Sequence, residues 1–377
     1  SWDFPTYLGV YGLALTIPWY LSERRTVGSL VVLAAVLGVT GGLAMLLYWP
    51  FHSAFQLFYS GLDMSPEKSD IWRYLGIHAL FLFALVTFLV FELGRSFGAS
   101  APLRIPALFT RRWEVMPRAM HLYGVMVRQR SDPKATLALY IAGATLATVV
   151  TLLLLKLTLV AILFALLVPT LALVLRRDRP AEQTFLLALL ATGFALGIFT
   201  EIFAIKGDVA RMNTVFKFYL QVWIMWAIGA AVALYLIRDK VKAIRGKVTR
   251  RTWRGLLAFL LVCVAVYPIF ATWARVHDRF NTNVPPTLDG TAYVAQATYH
   301  DQNQKIDLAA DMAAIRWLQD NVKGSPVVLE ASTPTYRWGS RISIYTGLPT
   351  VLGWDWHQKQ QRWGYQATID QRSQEVK

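Results

Sequence analysis

The stretch that decides the fold is Glu201-Ile-Phe-Ala-Ile-Lys-Gly-Asp-Val-Ala-Arg-Met-Asn-Thr-Val-Phe-Lys-Phe-Tyr219, which lies between two long apolar segments. Its nineteen positions include Glu201, Lys206, Asp208, Arg211, Asn213, Lys217 and Tyr219. An ionisable group costs about 2.5 to 3.5 kcal/mol at the centre of a membrane span and less near its ends. The stretch therefore predicts a membrane boundary where these groups pair with one another or form a site.

The composition is that of a membrane protein. Of the 377 residues, 55% are hydrophobic, and the mean hydropathy is +0.40. The net charge of +15 would suggest nucleic acid in a soluble domain. Here no basic helix is interleaved with stacking aromatics, and the excess falls in particular loops, so we expect no nucleic-acid binding. The single cysteine, Cys263, excludes an intrachain disulfide and a cysteine-based metal site.

Eight apolar segments approach or exceed the length needed to cross a bilayer core of about 30 Å. They lie at about 4–21, 28–50, 73–94, 135–155, 157–175, 182–204, 215–237 and 255–273. The pair at 135–175 fits either a tight hairpin at Lys156 or one long buried helix, and Pro169 and the total length favour the hairpin. The pattern predicts an α-helical polytopic membrane protein with about eight transmembrane helices.

The loops predict the orientation of these helices. Every second loop is strongly basic, namely 22–27, 95–134, 176–181 and 238–254, which places these loops in the cytoplasm. The loops at 51–72, near 156 and at 205–214 are mixed or acidic and are expected outside. We therefore expect a multi-pass protein of the cell membrane with both ends of this sequence extracytoplasmic.

The composition changes after Thr272, where spanning segments stop. Residues 307–322 predict an amphipathic helix with Asp307 as its cap, and Gly324 follows its end. Residues 326–331 and 349–353 predict buried strands. The expected domains are a transmembrane helical domain at 1–273 and an incomplete extracytoplasmic α/β domain at 274–377. Because the chain starts without Met or a signal peptide and ends without a terminal feature, we expect a fragment of a longer protein.

Five polar segments should meet on the outer face, at 2–7, 51–72, 201–219, 336–341 and 353–363. Arginine and lysine bind phosphate or pyrophosphate, and a carboxylate acts as a base or holds a divalent cation, with Mg²⁺ and Mn²⁺ as the candidate metals. The candidate catalytic residues are Asp3, Asp208, Asp355 and His357. The candidate substrate-binding residues are Arg211, Asn213, Lys217, Tyr219, Arg337, Arg341, Trp354 and Arg362.

Two of these residues have a spacing that bears on chemistry. Asp355 and His357 share one face if their segment is extended. We also expect Arg211 and Lys217 to point into one cavity shared with Asp355 or His357.

Structural roles compete with these assignments. Glu201 could pair with Lys206 across a helix end, and Asp208 with Arg211 as an ordinary helical pair.

Other polar residues also have non-catalytic interpretations. Trp354 and Trp356 could be interfacial anchors. His78 and Glu92 are expected to be packed and hydrogen-bonded rather than catalytic.

The run from Asp208 to Tyr219 resembles the signature of the Chlor_Arch_YYY family of large membrane proteins of unknown function. So do the run from Ser340 to Arg362 and the opening Ser1-Trp-Asp-Phe-Pro-Thr-Tyr7. The family is similar in layout to the GT-C superfamily of membrane glycosyltransferases, in which many spans precede an outer domain. The family more often has Glu at the position of Gln358, which weakens any carboxylate role beside His357.

The resemblance implies a glycosyltransferase-like protein that uses a polyprenyl-phosphate-linked sugar donor at the extracytoplasmic face. Its partners would be membrane lipid and that donor. In GT-C enzymes the catalytic carboxylate usually lies in the first outer loop, which would precede Ser1. Two other classes stay open, a transporter or lipid flippase and a non-catalytic subunit of a membrane assembly.

Overall fold

The computed structural model describes residues 3–54, 61–98, 133–206, 211–279, 284–301, 304–362 and 364–376. The chain forms two compact units, one of residues 1–50 and 59–262 and one of residues 51–58 and 263–377. Residues 99–132, which carry most of the basic 95–134 loop, lie outside the described residues. The predicted domain boundary at 273/274 stays a prediction.

Long apolar helices build the first unit. In chain order the elements are α1 (Asp3–Leu21), α2 (Val27–Leu47), α3 (Trp49–Ala54), β1 (Leu62–Met64), α4 (Ile71–Gly98), α5 (Pro133–Leu154), α6 (Thr158–Val174), α7 (Ala181–Ile202), β2 (Phe203–Ile205), α8 (Met212–Lys242) and α9 (Lys247–Arg279). Both α3 and α9 contain residues of both units.

Each of the eight predicted apolar segments coincides with one of these helices. Among the described residues, five helices are long and apolar enough to cross a membrane, namely α2, α4, α7, α8 and α9. The chain is therefore mostly helical and has several candidate membrane spans. The count of eight spans is not confirmed, because α1 is not among these five helices and α5 and α6 contain only shorter apolar stretches.

The segment at 135–175 forms a hairpin, as its length and Pro169 predict. Lys156 joins α5 to α6 with a φ of +59°, in the left-handed region that side chains other than glycine rarely adopt. The amide of Leu157 donates to Leu152 O at 2.9 Å, and that of Lys156 donates to Leu153 O at 3.0 Å. These bonds satisfy the last carbonyls of α5 and reverse the chain in a single turn.

The centre of the first unit is the packing of α4, α7 and α8. Phe88 on α4, Phe194 on α7 and Trp226 on α8 are almost completely buried there. Helices in a membrane associate largely through close van der Waals contact, which small residues permit. Gly193 on α7 provides that space, since a Cβ at this position would lie 2.1 Å from Trp226 Nε1.

Three of the basic loops lie at one end of this unit. Tyr20 Oη donates to Leu175 O at 2.7 Å, and the Arg177 guanidinium lies 4.7 Å from the centre of the Tyr20 ring. Lys240 Nζ, at the start of the 238–254 loop, lies 2.6 Å from Glu92 Oε1, and Arg179 Nη2 of the 176–181 loop lies 3.2 Å from Glu92 Oε2. The described basic loops thus share one end, as the alternation predicts.

The loops that are mixed or acidic gather at the other end. There β1 pairs with β2 in antiparallel register, with Leu62 opposite Ile205 and Met64 opposite Phe203. This pairing ties the loop before α4 to the end of α7. The contacts therefore agree with the predicted grouping of loops, while the side of the membrane that each end faces stays a prediction.

Apart from its shares of α3 and α9, the described part of the second unit contains short helices and a β-hairpin. Its elements are a 3-10 turn (Val294–Gln296), β3 (Thr298–Asp301), β4 (Gln304–Asp307), α10 (Leu308–Asn321), α11 (Arg341–Thr346), α12 (Asp355–Gln361) and α13 (Gln366–Glu375). Val294, Leu308 and Met312 form its small apolar core. Asp307 caps α10 as predicted, because its Oδ1 accepts from the amide of Ala309 at 3.0 Å.

The predicted strands at 326–331 and 349–353 meet at one point only. Val328 and Thr350 form an isolated parallel bridge, with Val328 N donating to Pro349 O at 2.8 Å. Pro326 and Pro349, each beside its short apolar run, lack the amide that a longer ladder would use. The predicted α/β architecture is therefore not confirmed.

We predict that Gly193→Ala destabilises the first unit by about 1 to 3 kcal/mol, because the added methyl overpacks the contact with Trp226. Equilibrium unfolding in detergent, followed by circular dichroism, measures the loss. Gly143→Ala on α5 is the matched control, since a Cβ there meets nothing within 4 Å. Equal stability of the two variants would show that the Gly193 contact does not limit packing.

Candidate functional site

A buried carboxylate organises the end of the first unit where β1 and β2 pair. The Glu201 side chain, in the last turn of α7, is 1% exposed. Its Oε1 accepts from Arg211 Nη1 at 3.1 Å and from Tyr219 Oη at 2.7 Å. Its Oε2 accepts from the backbone amide of Ser69 at 2.8 Å. The carboxylate is therefore paired and hydrogen-bonded on both oxygens, as a buried charge must be.

The charged partner of Glu201 is Arg211, which is almost as buried. Arg211 Nη1 also donates to Thr200 O at 3.2 Å, and Nη2 donates to Ser69 Oγ at 3.1 Å. Lys206 is exposed, and Glu201 pairs with Arg211 rather than with Lys206. The guanidinium predicted to hold phosphate is thus engaged within the protein.

Sequence reasoning missed two residues of this network. Lys68 Nζ donates to Ser65 O at 3.1 Å and to Glu201 O at 2.6 Å. Ser69 contacts the carboxylate, the guanidinium and, at 3.4 Å, the hydroxyl of Tyr219. Both residues lie in the 51–72 loop. The sequence pointed to them only through the prediction that this loop meets the 201–219 segment on the outer face.

An apolar groove of about 720 Å³ adjoins this network. Its walls and mouth are formed by Glu67, Ile77, Arg211, Met212, Val215, Phe216, Tyr219, Leu220 and Trp223. The polar lining residues lie at the end of the groove next to the Glu201 network. The apolar lining residues lie on one face of α8 and on one turn of α4. The groove is therefore amphipathic along its length.

Three further predicted residues lie on the first turns of α1 and α8. Gln221 Nε2 donates to Asp3 Oδ1 at 2.8 Å, which joins α1 to α8. Lys217 and Asn213 precede Gln221 by one and two helical turns, so they lie on the same side of α8. This side differs from the side that lines the groove. Asp208 lies outside the described residues, and so does the pairing considered for it with Arg211.

In the second unit the structure brings His357 and Trp354 together with Tyr336. Tyr336 Oη lies 3.1 Å from His357 Nδ1, and the ring centroids of Tyr336 and Trp354 are 5.2 Å apart. Tyr336 has a φ of +64°, a strained conformation for a bulky residue. The predicted meeting of the 336–341 and 353–363 segments is therefore present within this unit.

The two arginines predicted to hold phosphate in this unit form ion pairs instead. Arg337 Nη1 lies 2.6 Å from Asp301 Oδ1, and Arg341 Nε lies 2.8 Å from Asp311 Oδ2. Trp338 Nε1 also donates to Asp311 at 2.8 Å. These contacts attach the 336–341 segment to β3 and α10.

The expectation that Asp355 and His357 share a face does not hold, because the segment is helical rather than extended. Both lie in α12, where residues two apart point about 200° apart. Asp355 Oδ1 accepts from the amide of Trp356 at 2.7 Å at the start of the helix. Arg362, just after α12, is exposed.

A further contact joins α12 to α13. Lys359 Nζ donates to Asp370, and this hydrogen bond raises the pKa of the ammonium. The contact joins the two helices at their exposed surface.

No group of three or more His, Cys, Asp or Glu side chains that could hold a metal occurs among the described residues. A Mg²⁺ held by one or two carboxylates together with substrate phosphates needs no such group, so the expected divalent cation stays a prediction.

A second buried carboxylate, Glu92, lies at the opposite end of the unit. Its Oε2 is 3.2 Å from Arg179 Nη2, and its Oε1 is 2.6 Å from Lys240 Nζ. His78, also fully buried, has Nδ1 3.2 Å from Tyr74 O and stacks on the Tyr74 ring. Both residues are packed and hydrogen-bonded, as predicted.

We predict that Arg211→Met destabilises the first unit by about 3 to 5 kcal/mol, since it leaves Glu201 buried without its cation. Arg238→Met, which removes an exposed pair with Asp239, should cost less than about 1 kcal/mol. Unfolding in mixed detergent micelles measures both variants.

The double variant Glu201→Gln with Arg211→Met should lose less stability than Arg211→Met alone, because no unpaired charge remains buried. Equal losses for Arg211→Met and Arg238→Met would contradict the structural role of the pair.

Comparison with known proteins gives one match. A family described as uncharacterized membrane protein (DUF2298) matches residues 1–226, a range that includes the Glu201 network and the Asp208–Tyr219 run. No curated protein and no solved structure matches the chain. The family is consistent with the YYY-type membrane proteins that the motifs resemble. The chain belongs to this DUF2298 family of membrane proteins.

Proposed function

We propose that the chain is the membrane part of a glycosyltransferase-like protein that takes a polyprenyl-phosphate-linked sugar at the extracytoplasmic face. The observation that supports this best is the groove of about 720 Å³ beside Arg211. Its long apolar wall ends beside Arg211, Tyr219 and Glu67, an arrangement that suits a hydrocarbon chain with a polar head.

The exposure of the groove supports a ligand that comes from the bilayer. Met212, Phe216, Leu220 and Trp223 are between 43% and 68% exposed although they belong to a helix that could span a membrane. Apolar side chains exposed on such a helix face lipid. A lipid could therefore enter the groove sideways, without crossing water.

The proposed reaction is a displacement at the anomeric carbon of the donor sugar. The bond from that carbon to the phosphate oxygen breaks, a bond to an acceptor hydroxyl oxygen forms, and a base takes the hydroxyl proton. The lipid phosphate leaves with the bonding electron pair. Asp3, Asp208 and Asp355 are the proposed carboxylates within this chain, and His357 is the proposed proton carrier.

The proposed binding residues differ in the contacts that they already make within the protein. Arg211 and Tyr219 border the groove, and we retain them as contacts to the donor head through their remaining hydrogen-bonding capacity. Arg337 and Arg341 already pair with Asp301 and Asp311, so the proposal does not rest on them.

Four other candidates keep their proposed role as binding residues. They are Asn213, Lys217, Trp354 and Arg362. A divalent cation stays a proposal that no described ligand set supports.

We also propose that all eight apolar helices span the membrane, with the basic loops in the cytoplasm and both ends of the sequence outside. The grouping of loops at two ends of the first unit supports this topology. The second unit would then be an extracytoplasmic domain, the incomplete α/β domain that the sequence suggests.

A transporter or lipid flippase is the weaker alternative. Such proteins place charged groups near mid-membrane on broken helices. The two buried ion clusters that the described residues form, around Glu201 and Glu92, lie at helix ends instead. A non-catalytic subunit would bind the same lipid without transferring its sugar, so an activity assay on the full-length protein distinguishes it.

We expect Leu220→Trp, which fills the groove, to weaken binding of a polyprenyl phosphate by about tenfold or more, equivalent to about 1.4 kcal/mol. Tryptophan fluorescence quenching or native mass spectrometry of the detergent-solubilised protein measures this. Ile228→Trp is the matched control, because Ile228 is exposed on the same helix outside the groove. Unchanged binding in a folded Leu220→Trp protein would contradict the proposed donor site.

The topology has its own test in cells that carry a Cys263→Ala background. Lys206→Cys should react with a membrane-impermeant maleimide in intact cells, whereas Lys242→Cys should react only after permeabilisation. Both positions are exposed in the structure. The reverse labelling pattern would contradict the proposed orientation.

A further inference from the structure

A second cavity, of about 440 Å³, lies next to the Glu201 network and is more polar than the groove. Its polar walls include Lys68, Ser69, Asp70, Lys156, Thr158 and Glu201. These residues come from the loop before α4, the hairpin between α5 and α6, and the end of α7. Nothing in the proposed transfer reaction uses this cavity.

Two ammonium groups line the cavity, and their charge is not cancelled by a direct partner. Lys68 Nζ donates to two neutral carbonyl oxygens, Ser65 O and Glu201 O, and one of its three N–H bonds is left for another acceptor. Lys156 is exposed at the tip of its hairpin. Within the described part of the chain, neither lysine forms an ion pair with a carboxylate.

The carboxylates at the cavity are already engaged. Asp70 Oδ1 accepts from the amide of Trp72 at 2.7 Å. Both oxygens of Glu201 are occupied, and its charge is balanced by Arg211. The charged residues of the lining are Lys68 and Lys156 against Asp70 and Glu201, and an excess of one positive charge results when Arg211, which lies outside the lining, is counted against Glu201.

Two helices, α4 and α6, begin at this cavity and two, α5 and α7, end beside it, so the helix dipoles there oppose one another. Ile71 and Trp72 are the first residues of α4, and Thr158, Leu159 and Val160 those of α6. The start of α6 has no side-chain cap, and Leu159 and Val160 are buried. First-turn amides of a helix have no partner within it and favour a negative charge.

From the two lysines and the cavity that they share, we infer a binding site for a phosphate-type oxyanion, separate from the apolar groove. Lys68 and Lys156 contribute the charge, and Ser69 and Thr158 are hydroxyl donors at the same walls. A phosphate monoester or inorganic phosphate has the charge and the several acceptor oxygens that such a set can satisfy. The site does not depend on the proposed sugar transfer.

The residues 67–69 separate this site from the groove. Glu67 lines the groove, whereas Lys68 and Ser69 line the oxyanion site. A substitution in the groove should therefore leave the oxyanion site intact, which allows the two proposals to fail independently.

The test measures binding of radiolabelled inorganic phosphate to the whole chain in a sugar-based detergent free of phosphate. We expect saturable binding that weakens at high salt. Lys156→Gln should weaken it by about tenfold, as loss of one charged hydrogen bond does. Lys156 is the position to change, because Lys68 also holds the backbone of the network in place.

Lys206→Gln is the matched control, since it removes the same charge from an exposed lysine at the same end of the unit without touching the cavity. Its effect should stay within about twofold, as expected of a solvated surface charge. Thermal unfolding of both variants shows that they remain folded.

A second arm distinguishes the source of the oxyanion. The chain is placed in phosphatidylcholine nanodiscs with and without phosphatidic acid, and bound phosphatidic acid is measured by native mass spectrometry. Binding of inorganic phosphate in detergent, sensitive to Lys156→Gln, identifies a site open to soluble phosphate. Binding only of phosphatidic acid, with the same sensitivity, identifies a lipid headgroup site.

The inference is overturned if neither probe binds saturably, or if Lys156→Gln and Lys206→Gln weaken binding equally. Loss of phosphate binding in Leu220→Trp would also overturn it, because that result would place the oxyanion in the groove. Retained phosphate binding together with failed polyprenyl phosphate binding would leave this site standing and remove the proposed function.

Discussion

The buried pair of Glu201 and Arg211 is the constraint on which the rest of the first unit depends. A carboxylate that is 1% exposed at the end of a membrane helix cannot remain charged without a cation and hydrogen-bond donors. Arg211 supplies the cation, and Ser69 and Tyr219 supply donors. Because these partners come from the loop before α4 and from α8, satisfying one carboxylate brings three parts of the chain together.

The opposite end of the unit obeys the same rule with different residues. Glu92 on α4 is held by Arg179 from the loop before α7 and by Lys240 near the end of α8. The apolar side chains packed between these two clusters do little by themselves to select one helix register, since lipid is as apolar as they are. The two ion clusters, together with the close contact at Gly193, therefore fix the register of α4, α7 and α8.

The sequence predicted features governed by local patterns and failed where distant partners decide. Apolar length located all eight helices, and Asp307 located a helix start, because both depend on neighbouring residues alone. The sequence suggested Lys206 as a partner of Glu201, but the carboxylate pairs with Arg211 at the start of α8, which no local pattern indicated. Asp355 and His357 share a face only if their segment is extended, and it forms a helix that separates them.

The short segment 67–69 explains why a single network serves two surfaces. Ser69 contacts both members of the buried pair, with its amide on Glu201 and its hydroxyl on Arg211. Its neighbours then face different cavities, Glu67 the groove and Lys68 the more polar pocket. Any displacement of this segment would break hydrogen bonds to a buried charge, so the two cavities hold a fixed spacing. Arg211 thus acts first as a positioning residue, and its nearness to the groove follows from that structural role.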